Sequence, residues 1–442
     1  QRASGVYFYT TQSDMTIGNY TGTVTVSALS GGSAYGLDIN AYTGTASTMG
    51  NIGGSIYVRV SEGPDPSVGG AYGANFSNIS VGDFTGNIYA DGITGNTQTL
   101  SSNNMNGIRL GEGATMGDVS GTITVKSDFI AMALYQYGGC ATGDILSSAV
   151  FQAEGEMAAG IILETDNDAT TDTVGAIAGK LTATSYGNYG DNSLAAAFAM
   201  VNAGRPPSPA LMTVQLQDGA QLLAHNPQAN RAFAFVIDGE YATALNVIGD
   251  AGRFELSGGI VAAGGATLSN GTYEWSNLFT LPSGTPDLMG LFTVGTTDIT
   301  LSADATLHLL DSATFRESTL TVQGDVELTA RSLTDFAAIV LDEGATLGGN
   351  GTITLLLQDG FTANANDTMQ IVELLNGSSL AGTVIDHFTV ELSDGSTLVL
   401  GTDYSWDTQT GVLTFLGNVP EPAAATTLLA LLALACAARR TK

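Results

Sequence analysis

Gly121-Thr122-Ile123-Thr124-Val125, followed by Ala131-Met132-Ala133-Leu134, is the stretch from which the fold is read. In Thr122-Ile123-Thr124-Val125 the apolar residues take every second position, so one face of a strand can turn into a core and the other into water. The same theme returns on both sides. Gly22-Thr23-Val24-Thr25-Val26 is followed by Ala34-Tyr35-Gly36-Leu37, and Gly54-Ser55-Ile56-Tyr57-Val58 by Ala71-Tyr72-Gly73-Ala74. Gly86-Asn87-Ile88-Tyr89-Ala90 is followed by Asn106-Gly107-Ile108-Arg109-Leu110. The opening glycines at 22, 54, 86 and 121 lie 32 to 35 residues apart. Later echoes are Ala158-Ala159-Gly160-Ile161-Ile162, Gly175-Ala176-Ile177-Ala178-Gly179 and Ala196-Ala197-Phe198-Ala199.

A period of this size with strand-like content indicates a solenoid, in which no repeat buries its inner face without its neighbours. The Ala and Gly residues at the second strand suit a place where coils stack closely. Helical repeats are excluded because Gly interrupts every candidate stretch. The fold class expected is all-β: a parallel β-helix (β-solenoid) followed by a short C-terminal transmembrane helix.

Four segments are delineated. Residues 1–204 are Gly-rich solenoid repeats. Residues 205–359 continue the solenoid after Arg205-Pro206-Pro207-Ser208-Pro209, whose prolines cannot sit in a central strand. That break is either a domain boundary or a long loop, and the loop is the reading adopted. Residues 360–418, with Phe388-Thr389-Val390-Glu391-Leu392 and Val412-Leu413-Thr414-Phe415, are expected to cap the open strand edges. Residues 419–442 form a tail. The run from Leu341 to Thr354, with Gly344-Ala345-Thr346-Leu347-Gly348-Gly349-Asn350-Gly351-Thr352-Ile353, resembles the closing coils of autotransporter-like β-helix proteins. No membrane barrel follows it.

Composition agrees with this class. Thr and Val favour strands, and Gly and Asn favour the corners between them. Charged residues make up 12% of the 442, yet 42 are acidic against 13 basic, a formal net charge of −29. A body this acidic is repelled by phosphate backbones, which argues against nucleic-acid partners. The charge is read as a means of keeping an exposed protein soluble. The two cysteines, Cys140 and Cys436, do not form a plausible bridge, because Cys436 lies in the apolar tail. Cys140 is read as a small packed residue, having no local basic partner. The chain opens Gln1-Arg2-Ala3-Ser4 without Met, and its export signal is read as cleaved or outside the sequence.

Catalytic motifs are not found. His225, His308 and His387 stand far apart with no partner spacing, and are read as ordinary surface or turn residues. Gly175-Ala176-Ile177-Ala178-Gly179-Lys180-Leu181 has one residue too few for a phosphate loop and Leu181 where Ser or Thr is needed. Glu164-Thr165-Asp166-Asn167-Asp168 and Asp172 offer oxygens for Ca²⁺, but no known calcium-loop spacing is present, and a solvated loop is the reading adopted. No catalytic residue, metal site or cofactor is expected.

The tail reads Val419-Pro420-Glu421-Pro422, an apolar run from Ala423 to Ala438, then Arg439-Arg440-Thr441-Lys442. Pro420 and Pro422 hold an extended, accessible strip. The Ala/Leu run of roughly 16 residues would make a helix of about 24 Å. That is short of a hydrocarbon core of about 30 Å, so the anchor is marginal. Arg439, Arg440 and Lys442 would stay on the cytoplasmic side. This order resembles the PEP-CTERM sorting domain of Gram-negative bacteria. The resemblance covers the last 24 or so residues and implies an exosortase as partner. Val419, Pro420, Glu421 and Pro422 would be its recognition strip, as substrate residues. Together with the acidic, His-poor repeat body, the tail is read as that of an exported structural or adhesive protein of the cell envelope, surface or matrix, with transient inner-membrane anchoring and surface glycans or extracellular polysaccharide as candidate partners. The alternative is a carbohydrate-active β-helix enzyme, a polysaccharide lyase or glycosidase working through acids or Ca²⁺.

Overall fold

The computed structural model describes residues 2–419, apart from residue 12 and residues 30–32, 43–45, 62–69, 93–103, 166–171, 189–192, 203–210, 240–242 and 283–295. The chain divides into two compact units, Gln1–Tyr273 with Phe279–Asp298, and Glu274–Leu278 with Ile299–Lys442. The described residues are all-β: strands joined by turns and two short 3-10 turns. The Pro-rich break at 205–209 and the tail from Pro420 onward lie outside the described residues.

The first unit is built from long parallel sheets in which each strand pairs with its equivalent one coil away, the arrangement a β-helix requires. A nine-stranded sheet begins with Arg2–Tyr9, Ser33–Asn40, Ala71–Ser77, Asn104–Gly111 and Ile130–Tyr137. It continues through Met157–Thr165, Leu194–Asn202, Ala232–Gly239 and Gly259–Ala262. A narrow six-stranded sheet of two-residue strands runs beside it, from Thr16–Ile17 to Thr173–Val174. A third sheet contains the strands that open on glycine: Thr23–Leu29, Ser55–Ser61, Asn87–Gly92 and Thr122–Ser127 are in consecutive parallel register.

The alternation at Thr122–Ser127 sends Ile123 and Val125 inward and leaves Thr122 and Thr124 half-buried. Register then stacks like on like. Val24, Ile56, Ile88, Ile123, Phe151, Leu181 and Leu222 form one inner ladder. Burying each such side chain stabilises by about 1.5–3 kcal/mol, which no single coil could obtain alone.

The small residues at the second strand have a steric cause. An added Cβ on Gly36 would lie 2.1 Å from Ile56 Cγ2, on Gly73 2.3 Å from Ile88 Cγ2, and on Gly107 2.2 Å from Ile123 Cγ2. The nine-stranded sheet and the glycine-opened sheet therefore meet across a gap that admits a branched side chain from one wall only.

The second unit has three-faced coils. Ile299, Leu320, Leu347 and Leu380 stack on one face, and Leu307, Val326, Ile353 and Phe388 on the next. Ala313, Ile339 and Val372 stack on the third. The run Leu341 to Thr354 spans two corners of one coil. Glu343 and Gly344 turn it with φ of 52° and 81°, and Gly349 turns it again at 110°. A three-stranded antiparallel sheet of Thr368–Gln370, Val412–Phe415 and Tyr404–Asp407 completes the unit.

Candidate functional site

The sequence-derived site residues separate at position 419. Val419 belongs to the folded body: it is buried, bridges Ala363 antiparallel, and its N–H donates to the Ala363 carbonyl at 2.9 Å. Pro420, Glu421, Pro422, Arg439, Arg440 and Lys442 lie outside the described residues, as do Asp166, Asn167 and Asp168. Among the described residues no helix is long and apolar enough to cross a membrane. Among them, too, no three His, Cys, Asp or Glu side chains gather as a metal site.

His225 and His387 are exposed. His308 is held by Thr329 at 2.8 Å, with Glu327 3.9 Å away. Cys140 is buried, its thiol donating to the Tyr137 carbonyl at 3.1 Å. Burial, with Asp172 nearby, pushes that thiol up to about 11, so it rests protonated. Gly175 is a coil corner and Lys180 begins the strand Lys180–Ser185.

Two arrangements emerge from register that the sequence reading did not isolate. The first is a ladder on the corner before the glycine-opened strands. Asn19 Oδ1 accepts from the Asn51 N–H at 3.0 Å, Asn51 Oδ1 from Asp83 at 3.0 Å, and Asp83 Oδ1 from Asp118 at 3.1 Å. Asp118 Oδ1 accepts from Asp144 at 2.9 Å, and Asp144 Oδ1 from Ala176 at 2.8 Å. Each step satisfies a backbone donor that the sharp corner would leave open. The signal was present in the sequence: Gly18-Asn19-Tyr20, Gly50-Asn51-Ile52, Gly82-Asp83-Phe84, Gly117-Asp118-Val119 and Gly143-Asp144-Ile145. The residue after each Asx joins a column of bridges from Tyr20 through Ile52, Phe84, Val119 and Ile145 to Ile177 and Leu216.

The second is a cleft of about 330 Å³ on the other face of the nine-stranded sheet, turned away from Ile56 and Ile88. The pairing skips each inward glycine, so side chains three residues apart, such as Tyr35 and Asp38, share that face and form two columns. One runs Tyr35, Tyr72, Asn106, Met132, Ala159, Ala196, Phe233. The other runs Asp38, Asn75, Arg109, Tyr135, Ile162, Ala199, Val236. Both pass from polar residues and tyrosines to wholly apolar residues along the coils. At the apolar end Phe279 packs on Phe233 with ring centroids 5.2 Å apart, so the face is covered there.

The polar end is pre-arranged. Tyr35 and Tyr72 stack at 4.8 Å. The Arg109 guanidinium lies 4.4 Å from the Tyr137 ring centroid and 5.7 Å from that of Tyr72. Its Nη1 donates to Asn75 Oδ1 at 2.8 Å, and Asn75 Nδ2 donates to buried Asp38 at 3.0 Å. Tyr135 donates its hydroxyl to Glu164. Burial, and then that hydrogen bond, hold the Tyr135 phenol far above its ordinary range, while burial raises Tyr72 and Tyr137. All three are therefore neutral hydroxyls at physiological pH. Asn106 is 2% exposed, and among the described residues its Oδ1 has no hydrogen-bond partner. No protein-family model matches the chain, and no curated protein matches it in sequence.

Proposed function

We propose that the protein is an exported structural or adhesive component of a Gram-negative cell surface or extracellular matrix, delivered by an exosortase acting on its C-terminal tail. The observation that carries the structural half is the parallel stacking itself. Almost every described strand of the first unit serves a coil-to-coil ladder, and the corners are tied by side-chain-to-backbone bonds from Asn19 to Ala176. Such a body is suited to being displayed. The sorting half rests on the sequence Pro420-Glu421-Pro422, the short apolar run Ala423 to Ala438, read as a membrane-spanning helix, and Arg439, Arg440 and Lys442. That Val419 is pinned to Ala363 is compatible with a strip that starts where the folded body ends.

The test is replacement of Pro420, Glu421 and Pro422 by alanine in a Gram-negative host that carries an exosortase. Loss of processing and of surface display is expected. Unchanged processing and display would overturn the sorting reading.

One observation favours the second reading, a carbohydrate-active enzyme: the cleft brings Arg109, Tyr72, Tyr135 and Glu164 together. Against it, Glu164 is the single carboxylate among the described lining residues, whereas glycoside hydrolysis ordinarily needs a pair. Depolymerisation of any member of a polysaccharide panel by the purified protein would replace the structural reading with the enzymatic one.

A further inference from the structure

We propose that the cleft on the nine-stranded sheet binds a neutral amphipathic molecule, with a polyhydroxyl head at the Asn106–Arg109–Glu164 end and an alkyl body along Met132, Ala159, Ile162 and Ala196. This goes beyond the display reading and does not rest on it, since the cleft is a property of the folded first unit alone.

The head is fixed by the mixture of donors and acceptors. Arg109 offers only N–H donors, and among the described residues no carboxylate is in direct contact with it. Glu164 is an acceptor already taken by one tyrosine hydroxyl, with further lone pairs to offer. The Asn106 Oδ1, buried and without a partner among the described residues, is an acceptor that needs a donor. A carboxylate head could accept from Arg109 but could donate to neither Asn106 nor Glu164. A hydroxyl does both. Charge points the same way: Glu164 lies on the cleft wall, so an anionic head would meet a carboxylate as well as the Arg109 cation. The net charge of −29 adds to that repulsion.

The body is fixed by the other end. Ala159, Ala196 and Ala199 occupy column positions where Tyr72, Arg109 and Phe233 stand on other strands, so the sheet face drops to small side chains there. Ile162, Met132 and Leu194 wall the resulting trough. The volume of about 330 Å³ is at the lower end of the range of small-molecule sites, and such sites are mostly apolar with a few placed polar groups.

The experiment is isothermal titration of the full chain with octyl glucoside below its micelle threshold, beside methyl glucoside and octanoate. Saturable one-to-one binding of octyl glucoside is expected, at least tenfold tighter than either comparison ligand. Arg109→Met should weaken octyl glucoside about tenfold. Because Arg109 also braces Asn75, a second variant fills the trough without touching the head. Ala159→Phe places a ring where Phe233 stands two strands on, and should abolish binding while the protein still unfolds cooperatively. The proposal is overturned by the absence of saturable octyl glucoside binding, by octanoate or methyl glucoside binding as tightly, or by a folded Ala159→Phe that binds like the parent.

Discussion

Gly107 stands where a methyl group has no room: its Cβ would lie 2.2 Å from Ile123 Cγ2 and 2.5 Å from the Ala133 carbonyl oxygen. Gly107→Val should therefore cost about 1–3 kcal/mol of stability, read as a lowered urea midpoint with unchanged slope. The ionisable residues make a second prediction. Burial raises Cys140 from 9.0 to about 11, and Tyr186 from 10.0 to about 12 with help from Glu154. For a group whose folded pKa is raised, the stabilisation is complete below the unfolded pKa and is lost as pH rises through the folded one. Melting temperature should hold up to about pH 9 and fall between about pH 9 and 12. Cys140→Ala should flatten the lower part of that fall; a profile identical to the parent would mean that the thiol is not what titrates. At this scale the sequence was legible for what packs, as at Ile123 and Cys140. It was not legible for Arg109, because nothing local to Gly107-Ile108-Arg109 says which rings two coils bring beside it.

The corner ladder belongs to the level of elements. Gly117→Ala would set a Cβ 2.3 Å from Asp83 Oδ1, whereas Gly18, at the first corner, has nothing within 4 Å of an added Cβ. The same substitution should thus destabilise at 117 and be neutral or stabilising by about 0.4–1 kcal/mol at 18, compared by chemical denaturation. Asp83, Asp118 and Asp144 occupy successive rungs, with strands about 4.8 Å apart, so their charges repel. Asp118→Asn keeps the acceptor for the Asp144 N–H and removes a charge. It should stabilise at low salt, with the gain shrinking near 1 M salt where screening is nearly complete. Asp118→Ala removes the acceptor and should cost about 0.5–1.5 kcal/mol. The rungs are 32, 32, 35, 26 and 32 residues apart. A fixed period fails on that spacing, whereas the Gly-Asx-apolar tripeptide survives it because corner geometry, not coil length, dictates those residues.

For the whole molecule the formal charge of −29 is the first quantity to act. Raising salt from about 0.01 to about 0.15 M shortens the screening length from about 30 to about 8 Å, and the melting temperature should rise over that interval. A flat response would mean that the acids are too dispersed to repel. The sequence by itself determined the class of architecture, because strand alternation and corner glycines are local demands repeated in every coil: Ile123 must point inward and Gly121 must turn. It also carried the tail pattern from Pro420 to Lys442. Only the tertiary structure decided that Asp38, Asn75, Arg109 and Tyr135 share one column, that Val419 closes on Ala363, and that alanines at 159 and 196 open a trough. Those facts depend on register between strands a coil apart, and register is set by packing against neighbours that no single repeat contains.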